Sequence, residues 1–162
     1  MIMKKLLTIS SLIVVAIGAV LVIGGMWGIF FTYENIAREN IVTPADAAIS
    51  EKPVRGPLTL KVQADIIREH TLKTTGGKTF AEMPQQVPTV DESGNPILDA
   101  EGKPVMTANT ARNIWVTATT LTTALNLGIL TYAFSGLTVL FGCIFIWIGI
   151  VFYVLSRRDR FA

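Results

Sequence analysis

Leu125–Leu155 reads LNLGILTYAFSGLTVLFGCIFIWIGIVFYVL and holds no charged residue. It is longer than the roughly 20 apolar residues that a helix needs to cross a bilayer core. Small residues recur in it every seventh position, at Gly128, Ser135, Gly142 and Gly149, and on to Ser156. Seven before Gly128 stands Leu121, so the pattern begins only as the apolar run does. The stretch predicts a transmembrane helix, 125–155, with one narrow side made for packing against another helix.

A second apolar run, Leu6–Phe31, lies near the N-terminus, with Lys4 and Lys5 before it and Tyr33, Glu34 and Arg38 after it. A basic start and an apolar core are also marks of a signal peptide, but this run is about twice the usual core length. The only A-x-A, Ala45-Asp46-Ala47, falls far past its end. The reading is an uncleaved transmembrane helix, 6–31, with Trp27, Phe30, Phe31 and Tyr33 as an interfacial belt. It carries the same period, at Ser11, Gly18, Gly25 and Thr32, and a GxxxG at Gly24 and Gly28. Small residues let backbones approach closely in lipid, and a seven-residue repeat keeps one seam facing a partner. The expected packing residues are therefore Ser11, Gly18, Gly25, Gly28, Gly128, Ser135, Gly142 and Gly149. In antiparallel order Ser135, Gly142 and Gly149 face Gly25, Gly18 and Ser11, and Gly128 meets Thr32.

Of the 162 residues, 51% are hydrophobic, and the excess is concentrated in these two runs. The net charge is only +2, but its placement is informative. Lys4 and Lys5 precede the first run, and Arg157, Arg158 and Arg160 follow the second, against Asp159 alone. The positive-inside rule places both ends in the cytoplasm and residues 32–112 outside the cell membrane. There is no basic stripe for nucleic acid. The single cysteine, Cys143, lies within the second run and has no partner for an internal disulfide.

Residues 35–57 contain Pro44, Pro53 and Pro57 and read as mostly extended, with at most a helical turn at Thr43–Ala48. A helix is expected over 58–74, opened by Gly56-Pro57 and stopped by Gly76-Gly77. Leu58, Val62, Ile66 and His70 fall four apart on it, with Ile67 beside them. That spacing reads as one apolar stripe, with His70 as a structural histidine at its end. Gly76-Gly77-Lys78-Thr79 resembles the tail of a phosphate-binding loop, yet the glycine required five before Gly77 is Leu72. No nucleotide is expected. A short helix over 79–83 follows, with Phe80 and Met83 as its apolar contacts.

An internal repeat spans 91–106. Asp91-Glu92-Ser93-Gly94-Asn95-Pro96-Ile97-Leu98 is followed by Asp99-Ala100-Glu101-Gly102-Lys103-Pro104-Val105-Met106. Each copy is a glycine-containing turn leading into a very short strand. The D-x-[DN]-x-[DN]-G spacing of a calcium loop is absent. Residues 113–124, with Trp115 and five threonines, form a helical lead-in at the membrane surface. The fold class is thus membrane α-helical: a two-pass antiparallel hairpin carrying a small, mostly α extracytoplasmic domain with a β-turn insertion.

Gly56-Pro57-Leu58-Thr59, Gln63-Ala64-Asp65-Ile66-Ile67, His70 and Thr75-Gly76-Gly77-Lys78-Thr79-Phe80-Ala81-Glu82 lie between the two apolar helices. In these residues the chain resembles a group of actinobacterial two-pass membrane proteins of unknown function. The repeat at 91–106 looks like an insertion relative to shorter members. Some of that group are labelled aromatic ring-opening dioxygenases. Such an oxygenase holds iron with two histidines and a carboxylate, whereas His70 is the single histidine here. The resemblance implies an architecture and a cell-envelope setting, and no activity.

One histidine, one cysteine and carboxylates in turns do not make a convergent catalytic set, so no enzyme, metal or cofactor is expected. The expectation is an accessory or assembly subunit of a larger membrane complex, such as a respiratory supercomplex or an envelope transporter. Its partners would be the bilayer and membrane proteins. The alternative is an envelope lipid-binding or sensing module, with Leu58, Val62, Ile66, Phe80 and Met83 as the contact residues.

Overall fold

The structure is a computed structural model in which residues 2–158 are described; Asp159 and Arg160 of the basic C-terminus lie outside them. Two long helices dominate. Helix α1 is Ile2–Arg38 and helix α3 is Thr110–Arg158, of 37 and 49 residues. At 1.5 Å per residue they are about 55 and 73 Å long. Both are long and apolar enough to cross a membrane, and in the most apolar window of each only 11% of the residues are buried.

Neither helix stops where its apolar run stops. No proline or glycine interrupts Thr32–Arg38, so α1 continues for two further turns and closes at Asn40, whose φ is +50°. Likewise α3 begins at Thr110, far before Leu125, because nothing between them breaks a helix. Asn109 caps it, its Oδ1 accepting the Ala111 N–H at 3.1 Å.

Helix α2, Pro57–Thr74, leans on α3. Proline occupies its first turn, and the Gly56 N–H donates to Thr59 Oγ1 at 3.2 Å. Its C-terminus is closed by Gly76 and Gly77 in left-handed conformation, with Gly76 N–H bonded to Lys73 O and Gly77 N–H to Leu72 O. This is the paired bonding that satisfies the last carbonyls of a helix. A single 3-10 turn, Phe80–Glu82, follows. Glu82 accepts the Thr79 N–H at 2.6 Å, and this bond holds its carboxyl below the usual range.

The core lies where α2 packs on α3, beside the end of α1. Val54, Leu60, Ala64 and Leu125 are buried together, with Ile36, Ile41, Ile67, Ile129 and Tyr132 packed around them. Leu125, at the start of the apolar run, is part of this core. Residues 41–54 form a closed loop over it. The Val54 N–H bonds Ile41 O, and buried Thr43 exchanges hydrogen bonds with Lys52 through both backbone and hydroxyl.

Strands β1 (Gln86–Pro88) and β2 (Met106–Ala108) pair antiparallel, with Val87 opposite Thr107. Among the described residues they contact each other and no helix. Residues 86–108 thus form an arm carried at the start of α3.

Candidate functional site

Three places gather the residues to which sequence reasoning points. The first is the contact between α1 and α3. On α1, Ser11, Gly18, Gly25 and Thr32 are buried; on α3, Ser135, Gly142, Gly149 and Ser156 are buried. A methyl group placed on Gly18 would lie 2.7 Å from Gly142 O, and one on Gly142 would lie 2.7 Å from Gly18 O. One on Gly25 would meet Ser135 O at 2.8 Å, and one on Gly149 would meet Ser11 O at 2.9 Å. The helices therefore touch backbone to backbone, which dispersion forces need where no hydrophobic force acts. The hydroxyls in the seam bond their own helices: Ser11 to Thr8 O, Thr32 to Gly28 O, Ser156 to Tyr153 O.

One position, Gly128, differs from the expected register, and Gly28 packs as expected. Gly28 faces the Ser135 hydroxyl, while its GxxxG mate Gly24 has open space beside it. Gly128 lies against Leu60 and Ile36 rather than Thr32, because α2 arrives there and fills the gap. Cys143 is exposed on the outer face of α3.

The second place is the junction of α2 with the long helices. The expected stripe Leu58, Val62, Ile66 and His70 does not form one contact surface. Leu58 is 75% exposed and Ile66 is 5% exposed. Val62 is half-buried, Met83 is buried, and Phe80 is partly open beneath the Arg112 guanidinium, 4.0 Å from its ring centre. The buried residues of α2 are Leu60, Ala64, Ile66 and Thr71, with Ile67 packed beside them. A step of four residues turns about 40° further round a helix each time, so the stripe winds across faces: Ile66 is buried, while Leu58 and His70 stand in solvent. There His70 Nε2 meets Asp46 Oδ2 at 2.7 Å. This contact ties the 41–54 loop to α2, and the histidine holds the Asp46 carboxyl below its usual range.

Beside this junction is a groove of about 520 Å³ lined by Ile36, Ile41, Leu60, Ile67, Leu121 and Leu125. Asn35, Glu39 and Gln63 stand at its polar margin. Nearby, Arg55 donates to the Tyr33 hydroxyl at 3.1 Å, and Tyr132 donates to Arg55 O at 2.6 Å. At the opposite end of the long helices Lys4, Lys5 and Arg157 converge on one cleft.

Trp115, Arg112 and Asn109 have structural roles that their positions in the sequence did not announce. Buried Trp115 donates its Nε1–H to Lys78 O at 2.9 Å and Thr75 Oγ1 at 3.2 Å. Arg112 donates to Met83 O, and Asn109 donates to Pro84 O. Together they fasten the segment after α2 to the first turns of α3. The only advance signal is an Asn at a helix start with Arg and Trp three apart on one face.

The third place is the arm. Its hydrogen bonds close a ring: Thr89 N–H donates to Val105 O, Val105 N–H to Ile97 O, and Ile97 N–H to Thr89 O. Proline and the apolar residue beyond pair in the same cyclic order, Pro88 with Met106, Pro96 with Val90, and Pro104 with Leu98. Three Pro-x-apolar units, eight residues apart, are thus related by a pseudo-threefold arrangement. Between them Asp91 Oδ1 accepts the Ser93 and Asn95 N–H groups, and Asp99 Oδ1 accepts those of Glu101 and Lys103. The carboxylates hold the turns. Among the described residues no three His, Cys, Asp or Glu side chains gather as a metal-binding group.

Comparison of the chain with protein-family models, curated proteins and solved structures finds no match.

Proposed function

We propose that this protein is a non-enzymatic, two-pass membrane subunit that assists or assembles a larger membrane complex, such as a respiratory supercomplex or an envelope transporter. One observation carries the reading. The two long helices spend their small residues on each other, which leaves a broad apolar exterior of large side chains. Trp27, Phe30, Phe134, Phe141 and Trp147 all point away from the hairpin contact and are more than half exposed. In a membrane that exterior meets lipid or another protein's helices. The convergence of Lys4, Lys5 and Arg157 at one end supports a cytoplasmic location for both termini. Tyr33, Arg55 and Tyr132 then mark the outer interface.

Purification of the tagged full chain in mild detergent tests this reading. Co-purifying membrane proteins in fixed proportion are expected; the chain alone at its own mass overturns it. Orientation is tested in a Cys143→Ser background. A thiol reagent that does not cross membranes is expected to label Asp99→Cys in intact cells and Lys5→Cys only after permeabilisation.

A second reading, lipid binding or sensing outside the membrane, is favoured by the apolar groove at the helix junction. Its volume and its few marginal polar groups are those of a small-molecule site. A lipid that co-purifies with the wild type and is lost in Leu121→Asp supports it; equal lipid content in both overturns it.

A further inference from the structure

We propose that the arm of residues 86–108 is a docking element for a protein partner: it seats its apolar patch on an apolar extracytoplasmic face rimmed by lysine and arginine. The proposal rests on the membrane-subunit reading above. Val90, Ile97, Leu98, Val105 and Met106 are all exposed, by 40% to 57%. They occupy repeated positions of the closed ring: Val90, Leu98 and Met106 each stand two residues after its prolines, and Ile97 and Val105 one after. Neither strand beneath them touches a helix. An apolar cluster held off the body of a protein, with no core behind it, is the mark of an interaction surface.

Height and charge select the occupant. The arm springs from Thr110, 22 residues before Tyr132 on an unbroken helix, which is about 33 Å of rise. With Tyr132 at the outer interface, the patch is carried well clear of the bilayer that holds α1 and α3. The turns around it carry Asp91, Glu92, Asp99 and Glu101 against Lys103 alone. Two copies meeting through this patch would bring like charges together, which disfavours pairing. A partner with basic residues around an apolar centre satisfies both features.

The test uses the full-length tagged chain in its native cells, with the photoreactive residue p-benzoylphenylalanine placed at Leu98 or, as a control, at Val116 on the exposed side of α3. Co-purification is compared among wild type, a Val90→Ser/Leu98→Ser/Met106→Ser variant and a Glu92→Lys/Glu101→Lys variant. The expected result has two parts. The Leu98 probe forms an adduct with one protein, at a peptide with apolar residues flanked by Lys or Arg, and the Val116 probe does not. Recovery of that protein falls at least roughly tenfold in the triple variant, as for loss of a binding hot spot, and severalfold in the charge-reversed one. Unchanged helical circular dichroism and melting show that the variants remain folded. Full recovery of the partner by the triple variant overturns the docking role and leaves the subunit reading standing. So does an adduct with a second copy of this chain or with lipid. A wild-type chain that purifies alone overturns both.

Discussion

Gly18 and Gly142 meet backbone to backbone, each placed so that a methyl group on it would come within 2.7 Å of the other's carbonyl oxygen. The contact repeats one heptad away in each direction, at Gly25 with Ser135 and at Ser11 with Gly149. No side chain fits between the helices at these levels. The hairpin has to separate, or shift along its length, to admit one.

Gly18→Leu and Gly142→Leu are therefore expected to destabilise the hairpin by roughly 1–3 kcal/mol or more, the range for overpacking a filled interior. Leu140→Phe, on the exposed side of α3, is expected to change it little. Denaturant titration in detergent, followed by intramolecular energy transfer between the helix ends, checks this. Equal tolerance of all three changes would show that the seam does not hold the pair.

Trp115→Phe keeps the aromatic volume and removes the Nε1–H that bonds Lys78 O and Thr75 Oγ1. The expected loss is about 1 kcal/mol, the net worth of a typical hydrogen bond. It is expected as faster amide exchange over residues 75–83, with α1 unaffected.

Asp46 holds its loop to α2 as a carboxylate. Its folded value lies below the ordinary 3.8, first through the hydrogen bond from His70. Such a group stabilises the folded state above the unfolded value, and that contribution disappears as pH falls through the folded one. Amide protection of residues 43–52 is expected to hold from neutrality down to about pH 4 and to fall in stronger acid. Asp46→Asn is expected to remove that acid step, leaving protection lower at neutral pH.

Gly102 turns the second repeat at φ +78°. Gly102→Val is expected to cost roughly 1–2 kcal/mol, the penalty for a side chain in the left-handed region. Because neither strand of the arm packs on a helix among the described residues, exchange over 86–108 is expected to rise without a change in the helical melting transition.

How far the sequence could be read depended on how local the cause was. The α1–α3 contact is visible because glycine and serine recur at one spacing over four turns or more. On α2 the expected stripe is buried at Ile66 and exposed at Leu58 and His70, because Leu58, Val62, Ile66 and His70 advance by four each time and drift round the helix. Leu60, Ala64, Ile67 and Thr71 alternate four with three and stay aligned. In the arm, reading the repeat as D-x-x-G-x-P hid its first member, Pro88-Thr89-Val90, which has no such turn before it. The Trp115 clamp joins residues 37 and 40 positions apart, and no periodicity reports a contact of that kind.

The hydrogen-bonded ring in the arm has a consequence for how the arm can vary. Thr89, Ile97 and Val105 each give one amide and receive one at a carbonyl, so the circuit is saturated. A fourth eight-residue copy has no vacant rung to join and would have to break the circuit to enter.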